Sequence, residues 1–264
     1  MKISLTKLTH DLLADGKYFF TKEFVAQKLS ISKAALTLQI IRLKRKKAIY
    51  SLRSGFYMII PAEYSHMGTL PPLWIIEPLM QYLGHSYYIS LLSSSSIYGA
   101  TQQQPQTFQV ICDDQVPNIK LSRGMIQFHY SKDFSKALVE QVKTPTSYAT
   151  VANKEQTVLD LIKFYKDCGY FNNVAAILSD LCSELNSDTF KQVLENEVKI
   201  SYIQRLGYIL EVLGFNHLVE VTSEILSKRD RVCYRKFRPD LDTTEQGRSK
   251  KWKLIINDQI EIDE

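Results

Sequence analysis

The segment Phe19–Ile60 constrains the fold most, because helix and strand patterns follow one another in it at short spacing. Ser32 stands just before the longest of these patterns, where a serine hydroxyl can cap the free N–H groups of a helix. In order, the segment predicts a helix over Lys22–Lys28, a tight turn over 29–31, a second helix from Lys33 to about Lys46, and a hairpin over 48–60. This order is typical of a winged helix-turn-helix, which lays its second helix in the major groove of DNA.

Basic side chains are concentrated in the same part of the chain. Residues 1–60 contain nine Lys and three Arg against two Asp and one Glu, a net charge of +9. The whole chain carries +5, so residues 61–264 carry −4. A basic block confined to one segment indicates a polyanionic partner for that segment, and we expect double-stranded DNA. The alternative is a solvated lysine-rich face on an ordinary small domain.

The second predicted helix has two unlike faces. Leu36, Ile40 and Leu43 fall together on a helical wheel and should face the core of the module. We expect Thr37 to reach a base edge or a phosphate, the apolar side chains opposite the core to contact thymine methyl groups, and the cations to contact phosphates. The predicted DNA-binding set is Ser32, Lys33, Ala34, Thr37, Leu38, Ile41, Arg42, Lys44, Arg45, Lys46, Lys47 and, at the hairpin tip, Arg53. Burial of Leu38 and Ile41 against another helix or a second protomer is the alternative for those two residues.

The chain length suits two domains of an α+β protein. We predict a winged helix-turn-helix domain over residues 1–62, a linker over 63–73 that ends in Pro71-Pro72, and a larger mixed α+β domain over 74–264. Helices are predicted at Leu5–Ala14, Trp74–Leu83, Tyr87–Tyr98, from Asn153 onward, and at 172–185, 188–195, 201–213 and 215–226. Strands are predicted at Thr107–Ile111, 118–122, Met125–Ser131, 137–142, 147–151 and Trp252–Ile256.

Whole-chain features point to a cytoplasmic protein. The four cysteines have no paired spacing, which favours reduced core thiols over disulfides or a zinc site. Lys2, Lys7 and Asp11 interrupt the opening segment, so we expect no signal peptide. No apolar run approaches the roughly 18 residues of a membrane span, and we expect no membrane partner.

The sequence offers no convincing active site. It contains none of the phosphate-loop, dinucleotide, HExxH or GxSxG patterns, and its five histidines lack ligand spacing. Asp113, Asp114, Glu140 and Lys143 could serve a metal-dependent nuclease, but Glu140 and Lys143 have a spacing that points them to opposite faces of a strand. We therefore predict no catalytic residue, no metal, no cofactor and no enzyme activity.

Residues after the linker resemble the C-terminal domain of AbiE-type antitoxins, the regulators of abortive-infection toxin–antitoxin operons. The segments that carry the resemblance are YYISLLSSSSIYGATQQQPQTFQVI (Tyr87–Ile111), YATVANKEQTVLDLI (Tyr148–Ile162), YIQRLGYILEVLG (Tyr202–Gly214) and KWKLIIN (Lys251–Asn257). Their order and spacing span most of residues 74–264, and the same family also contains N-terminal winged helices. Lys47 departs from the pattern, since many winged helices have a glycine there, and this puts the end of the second helix in question.

The resemblance implies an antitoxin that represses its own operon by binding repeats in operator DNA. It also implies a nucleotidyltransferase-like toxin encoded next door, which such antitoxins often oppose without a stable complex. Self-association on DNA is a further expectation. A winged-helix transcription factor that senses a small ligand, and less so a DNA-tethered nuclease, are the alternatives.

A second basic group stands out because the larger domain is otherwise mildly acidic. We hypothesise that it forms a surface for a nucleic acid, a second operator-bound copy or the toxin. Its members are Arg205, Lys228, Arg229, Arg231, Arg235, Lys236 and Arg238. The alternative is a solvated loop with cations that favour helix ends.

Overall fold

The computed structural model describes residues 4–101, 105–242 and 247–261. Residues 102–104 of the segment Tyr87–Ile111, and the outer ends of the predicted domains 1–62 and 74–264, lie outside the described residues. The described chain is a mixed α+β protein, as predicted.

The chain divides into two compact units. The first contains the described residues up to Tyr88 together with Gln106–Ser131 and Gln141–Thr150, and the second contains the rest. The predicted linker, residues 63–73, therefore lies within the first unit. These units do not follow the predicted domain limits, and the division by function stays a prediction.

The first unit begins with three helices and a hairpin in the predicted order, and a strand that was not predicted, Phe19–Thr21, adds to the hairpin to form a small antiparallel sheet. The elements are α1 (Leu5–Ala14), β1 (Phe19–Thr21), α2 (Lys22–Leu29), α3 (Lys33–Arg45), β2 (Ile49–Arg53) and β3 (Phe56–Ile59). The sheet has the order β1-β3-β2, with both pairs antiparallel. Its core joins Leu5 and Leu12 of α1, Val25 of α2 and the buried face of α3. Apolar residues at helical spacing on α1, α2 and α3 thus form this small core.

A six-stranded mixed sheet follows after α4 (Pro72–Leu83). Its strands are β4 (Tyr87–Ile89), β5 (Thr107–Cys112), β6 (Ile119–Lys120), β7 (Met125–Tyr130), β8 (Val139–Lys143) and β9 (Tyr148–Ala152), in the order β6-β7-β5-β4-β9-β8. The pair β5–β7 is parallel and β6–β7 antiparallel.

Helices dominate the second unit. They are α5 (Leu91–Ile97), α6 (Lys154–Lys163), α7 (Tyr170–Leu181), α8 (Ser187–Asn196), α9 (Ile200–Val212) and α10 (Asn216–Ser227). A small sheet of β10 (Arg235–Lys236), β11 (Gly247–Ser249) and β12 (Leu254–Ile256) completes it, in the order β10-β12-β11. Asn153 caps α6 as predicted, because its side chain accepts from the N–H of Gln156 at 2.8 Å.

The predicted helix Tyr87–Tyr98 is wrong in its first third. Residues Tyr87–Ile89 form β4, and Ser90 then has extended backbone angles (φ −148°, ψ −170°) before α5 begins. Two tyrosines and an isoleucine fit a pleated strand well, whereas the serines that follow fit a helix packed closely on a neighbour. Ser93, Ser94 and Ser95 are indeed buried.

Two of the segments that carry the family resemblance meet in the second unit. Trp252 is fully buried against Gly207 of α9, so close that a Cβ on this glycine would overlap the indole ring. Glu211, one turn further along α9, accepts from Trp252 Nε1 at 2.7 Å. Gln204 Nε2 donates to the main-chain oxygen of Trp252 at 2.9 Å. Glycine at position 207 is therefore required by packing and not by backbone conformation.

The contact between Gly207 and Trp252 gives a stability prediction. We expect Gly207→Ala to lower the free energy of unfolding by about 1–3 kcal/mol, because overpacking outweighs the higher helix propensity of alanine. Denaturant unfolding checks this. Trp252→Phe in the same background should recover part of the loss, and strictly additive effects of the two substitutions would contradict the proposed overlap.

Candidate nucleic-acid interface

Local chemistry fixes where α3 starts. Ser30 ends α2 with a left-handed conformation (φ 48°), which turns the chain sharply. Ser32 then caps α3, since its Oγ accepts from the N–H of Ala35 at 3.2 Å. The predicted turn and cap are therefore confirmed, and they set the direction in which α3 leaves the turn.

The two predicted faces of α3 are confirmed. Leu36, Ile40 and Leu43 are at most 5% exposed. The predicted DNA-binding residues outside the hairpin are all exposed, namely Ser32, Lys33, Ala34, Thr37, Leu38, Ile41, Arg42, Lys44, Arg45, Lys46 and Lys47. Leu38 and Ile41 are large apolar side chains that are 56% and 40% exposed, so the described part of the chain leaves much of each uncovered.

The hydroxyl of Thr37 is already used as a donor. Its Oγ1 donates to the main-chain oxygen of Lys33 at 2.8 Å, one helical turn earlier. The remaining lone pairs of this oxygen can still accept a hydrogen bond. A contact of Thr37 with a base is therefore one in which a base amino group or another donor supplies the proton.

The end of α3 is tightly closed although no glycine is present. Lys46 is the C-cap, and Lys47 follows in the left-handed region with φ 54°. The N–H of Lys47 donates to Lys44 O and that of Ala48 donates to Leu43 O, both at 3.0 Å. This pair of bonds is the Schellman arrangement that a glycine usually permits. The helix thus ends at Arg45. Lys47 adopts the left-handed backbone conformation that is sterically unfavourable for a residue with a Cβ.

Arg53 departs from its predicted role at a free hairpin tip. Its guanidinium donates to the main-chain oxygen of Pro117, and burial lowers the pKa of Arg53. The hairpin is also held by Tyr82, whose ring stacks on Phe56 at 4.7 Å and whose hydroxyl donates to Ser54 O at 2.7 Å. These contacts within the first unit occupy the hairpin tip, so we leave Arg53 out of the candidate interface.

Three members of the predicted second basic surface are buried or half-buried and make contacts within the second unit. Arg205 is only 7% exposed, and its guanidinium donates to Phe237 O and Lys236 O. Arg229 donates to the main-chain oxygens of Leu194, Glu195 and Glu197, at the end of α8. It donates to main-chain oxygens at and just beyond the C-terminus of the helix, where carbonyl groups lack a full set of intrahelical partners.

Arg238 is the third. It pairs with Asp240 at 2.9 Å and with Asp258 at 2.7 Å, and it lies over the ring of Tyr170. The prediction of one continuous basic surface is therefore wrong, because residues 228–238 supply structural contacts as well as exposed charge.

The other four members are exposed. Lys228 pairs with Glu224 at 2.6 Å and Lys236 with Asp242 at 3.1 Å. Arg231 and Arg235 are exposed, and Arg235 begins β10. These two arginines are what remains of the predicted surface as a candidate for contact with a partner.

The acidic residues considered for a nuclease are each engaged locally. Asp113 accepts from the N–H of Ser86 at 3.1 Å, and Asp114 accepts from the N–H that follows it. Glu140 accepts from the hydroxyl of Tyr98 at 2.8 Å. Burial, together with this bond to Glu140, raises the pKa of Tyr98. Within the described ranges, no three His, Cys, Asp or Glu side chains are grouped so that they could hold a metal ion.

Comparison with known proteins separates family from fold. Residues 88–212 match the family model of the AbiEi antitoxin C-terminal domain, which confirms the predicted resemblance. Similar solved structures include the crystal structure of the RV2827C protein from Mycobacterium tuberculosis, with a TM-score of 0.70 and 14% identity. That alignment covers 94% of this chain and 89% of the other, and at this identity it concerns the fold alone.

No curated protein has significant similarity to the chain. In the part of the chain that the structure describes, no helix is long and apolar enough to cross a membrane.

The strained lysine after α3 gives a second stability prediction. Lys47→Gly should raise the free energy of unfolding by about 0.5–1 kcal/mol, because glycine adopts a positive φ without the steric cost of a Cβ. The midpoint of urea unfolding measures this. Lys47→Ala is the matched control: it removes the same charge but keeps the Cβ, and it should give no such gain. An equal gain from alanine would assign the effect to charge repulsion.

Proposed function

We propose that this chain, which carries an AbiEi antitoxin C-terminal domain in residues 88–212, is the antitoxin of a toxin–antitoxin operon and represses that operon by binding its operator DNA. The antitoxin role rests on the family match. The DNA-binding role rests on one observation, the exposed face of α3, which combines cations, a hydroxyl and bare apolar side chains. We propose no catalytic step.

Residues 1–62 act in this proposal as a winged helix-turn-helix. The order of α2, α3 and the hairpin, and the buried stripe that fixes the orientation of α3, support this assignment. The second helix of such a module enters the major groove, so its outward face decides what is contacted. Residues 63–73 would join it to an antitoxin region over 74–264.

The side chains on the outward face divide by chemistry. Lys33 at the start of α3, and the run from Lys44 to Lys47 at its end, lie where a helix in the groove meets the phosphates on either side. Thr37, in mid-helix, is placed to accept from a base amino group, and Leu38 and Ile41 suit thymine methyl groups. Leu38 and Ile41 are also the residues that a second operator-bound copy would cover, if the protein associates on repeats.

The toxin follows from the family resemblance. We propose a nucleotidyltransferase-like protein encoded beside this chain, opposed with or without direct contact. The region that opposes it would be the one that the family model covers and not α3. DNA binding and protection should therefore be separable in the full chain.

The proposed interface predicts how substitutions at the end of α3 affect binding to DNA. Lys44→Ala with Arg45→Ala should weaken binding to operator and random duplex alike, because phosphate contacts carry no sequence information. Six phosphate contacts give a slope of about −5 for log K against log salt, and removing two should make it shallower by about 2. Fluorescence anisotropy over a range of salt concentrations measures both.

The matched control removes two exposed lysines of the same unit away from α3. Lys7→Ala with Lys17→Ala changes the net charge equally and should leave the slope almost unchanged. If both pairs reduce binding to the same extent, overall charge and not α3 is responsible, and the proposed interface is wrong.

The second prediction separates the two roles. In cells that co-express the neighbouring toxin, the Lys44→Ala, Arg45→Ala protein should restore growth as the unchanged protein does, when both are expressed from a promoter that they do not control. Arg231→Glu with Arg235→Glu should reduce protection or cooperative DNA binding without unfolding, because both arginines are exposed. Loss of protection in the α3 variant would show that the two roles share one surface. Unchanged behaviour of the arginine variant would remove that site from both.

A further inference from the structure

A cleft in the second unit is lined mainly by cations and tyrosines. Its volume is about 410 Å³, and it lies between the end of α6, the first turns of α9 and the segment before β11. The lining residues that matter here are Lys163, Lys166, Lys199, Arg205, Tyr165 and Tyr202. Asp167 and Asp240 also line it, so cationic side chains outnumber carboxylates by four to two. A volume of this size suits a small-molecule ligand.

Arg205 is the unusual member of this cleft. It is 7% exposed, and its guanidinium donates to two main-chain oxygens, Phe237 O at 3.0 Å and Lys236 O at 3.2 Å. Within the described residues it forms no salt bridge with a carboxylate, although arginine keeps its charge in proteins. Burial lowers the pKa of Arg205, as expected for a cation removed from water. Asp240 is the carboxylate that acts on this charge, but it is itself paired with Arg238, so an anion beside Arg205 would offset more of the cost of burying it.

The carboxylate in the cleft that acts on Arg205, Asp240, is shared with other groups. Asp240 is held by both nitrogens of the Arg238 fork and by the hydroxyl of Tyr165. Lys163 is itself neutralised by Glu197 at 2.6 Å and Asp160 at 3.8 Å. Among the described residues, the cleft therefore contains one cation in salt bridges with carboxylates, Lys163, and three cations that form none.

Lys166 and Lys199 are exposed at the same cleft. Lys199 Nζ lies 3.3 Å from the hydroxyl of Tyr202 and 5.3 Å from the centre of its ring, which places its charge beside the aromatic wall. Two exposed ammonium groups thus line the same cleft as the buried guanidinium. This combination is the one that proteins use to hold phosphate groups, since arginine supplies directed donors and lysine supplies charge.

We infer that this cleft binds a phosphate-bearing small molecule, with Arg205 as the fixed anchor and Lys166 and Lys199 closing on the phosphate oxygens. A diphosphate fits the three cations better than a single carboxylate, which would leave most of the positive charge uncompensated. The cleft has room beyond the phosphates, and Tyr202 provides an aromatic wall for the group that carries them. Binding there is separate from the DNA contacts of α3.

Isothermal titration of the full chain with inorganic pyrophosphate, in a buffer without phosphate, tests the inference. We expect saturable binding, and Lys166→Ala with Lys199→Ala should weaken it about tenfold or more, because each removes a charge-assisted contact. The matched control is Lys132→Ala with Lys228→Ala, two exposed lysines of the same unit that do not line the cleft. It should bind as the unchanged protein does.

A second arm identifies what the site selects. ADP should bind at least as tightly as pyrophosphate, and adenosine should not bind measurably, since the phosphates supply the attraction. Arg205→Lys keeps the charge but loses the directed donors and should also weaken binding; circular dichroism checks that it stays folded. Absence of binding by pyrophosphate and ADP up to about 10 mM, a Kd range weaker than useful recognition, would overturn the inference. So would equal weakening by the control pair, or binding of adenosine as tight as that of ADP.

Discussion

The buried carboxylate of Asp160 connects several elements of the second unit. It accepts from the hydroxyl of Ser90, which joins β4 to α5, at 2.9 Å and from Gln156 within α6 at 2.9 Å. Lys163 lies 3.8 Å from the same carboxylate and 2.6 Å from Glu197, just after α8. Although burial lowers it, the two carboxylates together raise the pKa of Lys163. Removing one member of such a network leaves the others buried without partners, which costs far more than the intact network contributes.

The need to provide hydrogen-bond partners for polar groups also explains where several basic residues of this unit lie. A helical region with many ends leaves many carbonyl groups unpaired, and long guanidinium side chains can reach them. Arg229 closes the end of α8, while Arg205 reaches the main chain around β10. Arg238 instead pairs with two carboxylates. Three of the seven basic residues in this group thus make structural contacts within the unit, and of the four exposed ones Arg231 and Arg235 remain candidates for contact with a partner.

In the first unit, burial decides which charges face outward. Leu36, Ile40 and Leu43 lie in the core. Because of helical geometry, the side chains on the opposite face of α3 then point to solvent. The result is a face with cations at both ends and apolar side chains in the middle. The hairpin adds less to the candidate DNA-binding face than its sequence suggests, because its tip forms hydrogen bonds with Tyr82 and with the main-chain oxygen of Pro117.

Local signals were sufficient to predict α1, the Ser32 and Asn153 caps, the two faces of α3, and the resemblance of residues 88–212 to the AbiEi antitoxin C-terminal domain. Helical periodicity and capping depend on neighbours within a few residues, so they can be seen without a fold. Tertiary structure alone decided the rest. It shortened the predicted helix at Tyr87–Tyr98, held Arg53 on Pro117, and buried Arg205 beside two lysines that no sequence pattern groups with it. Each of these outcomes depends on contacts with residues far along the chain. A charged residue in a sequence does not show whether its side chain faces solvent, a carbonyl oxygen or a cleft.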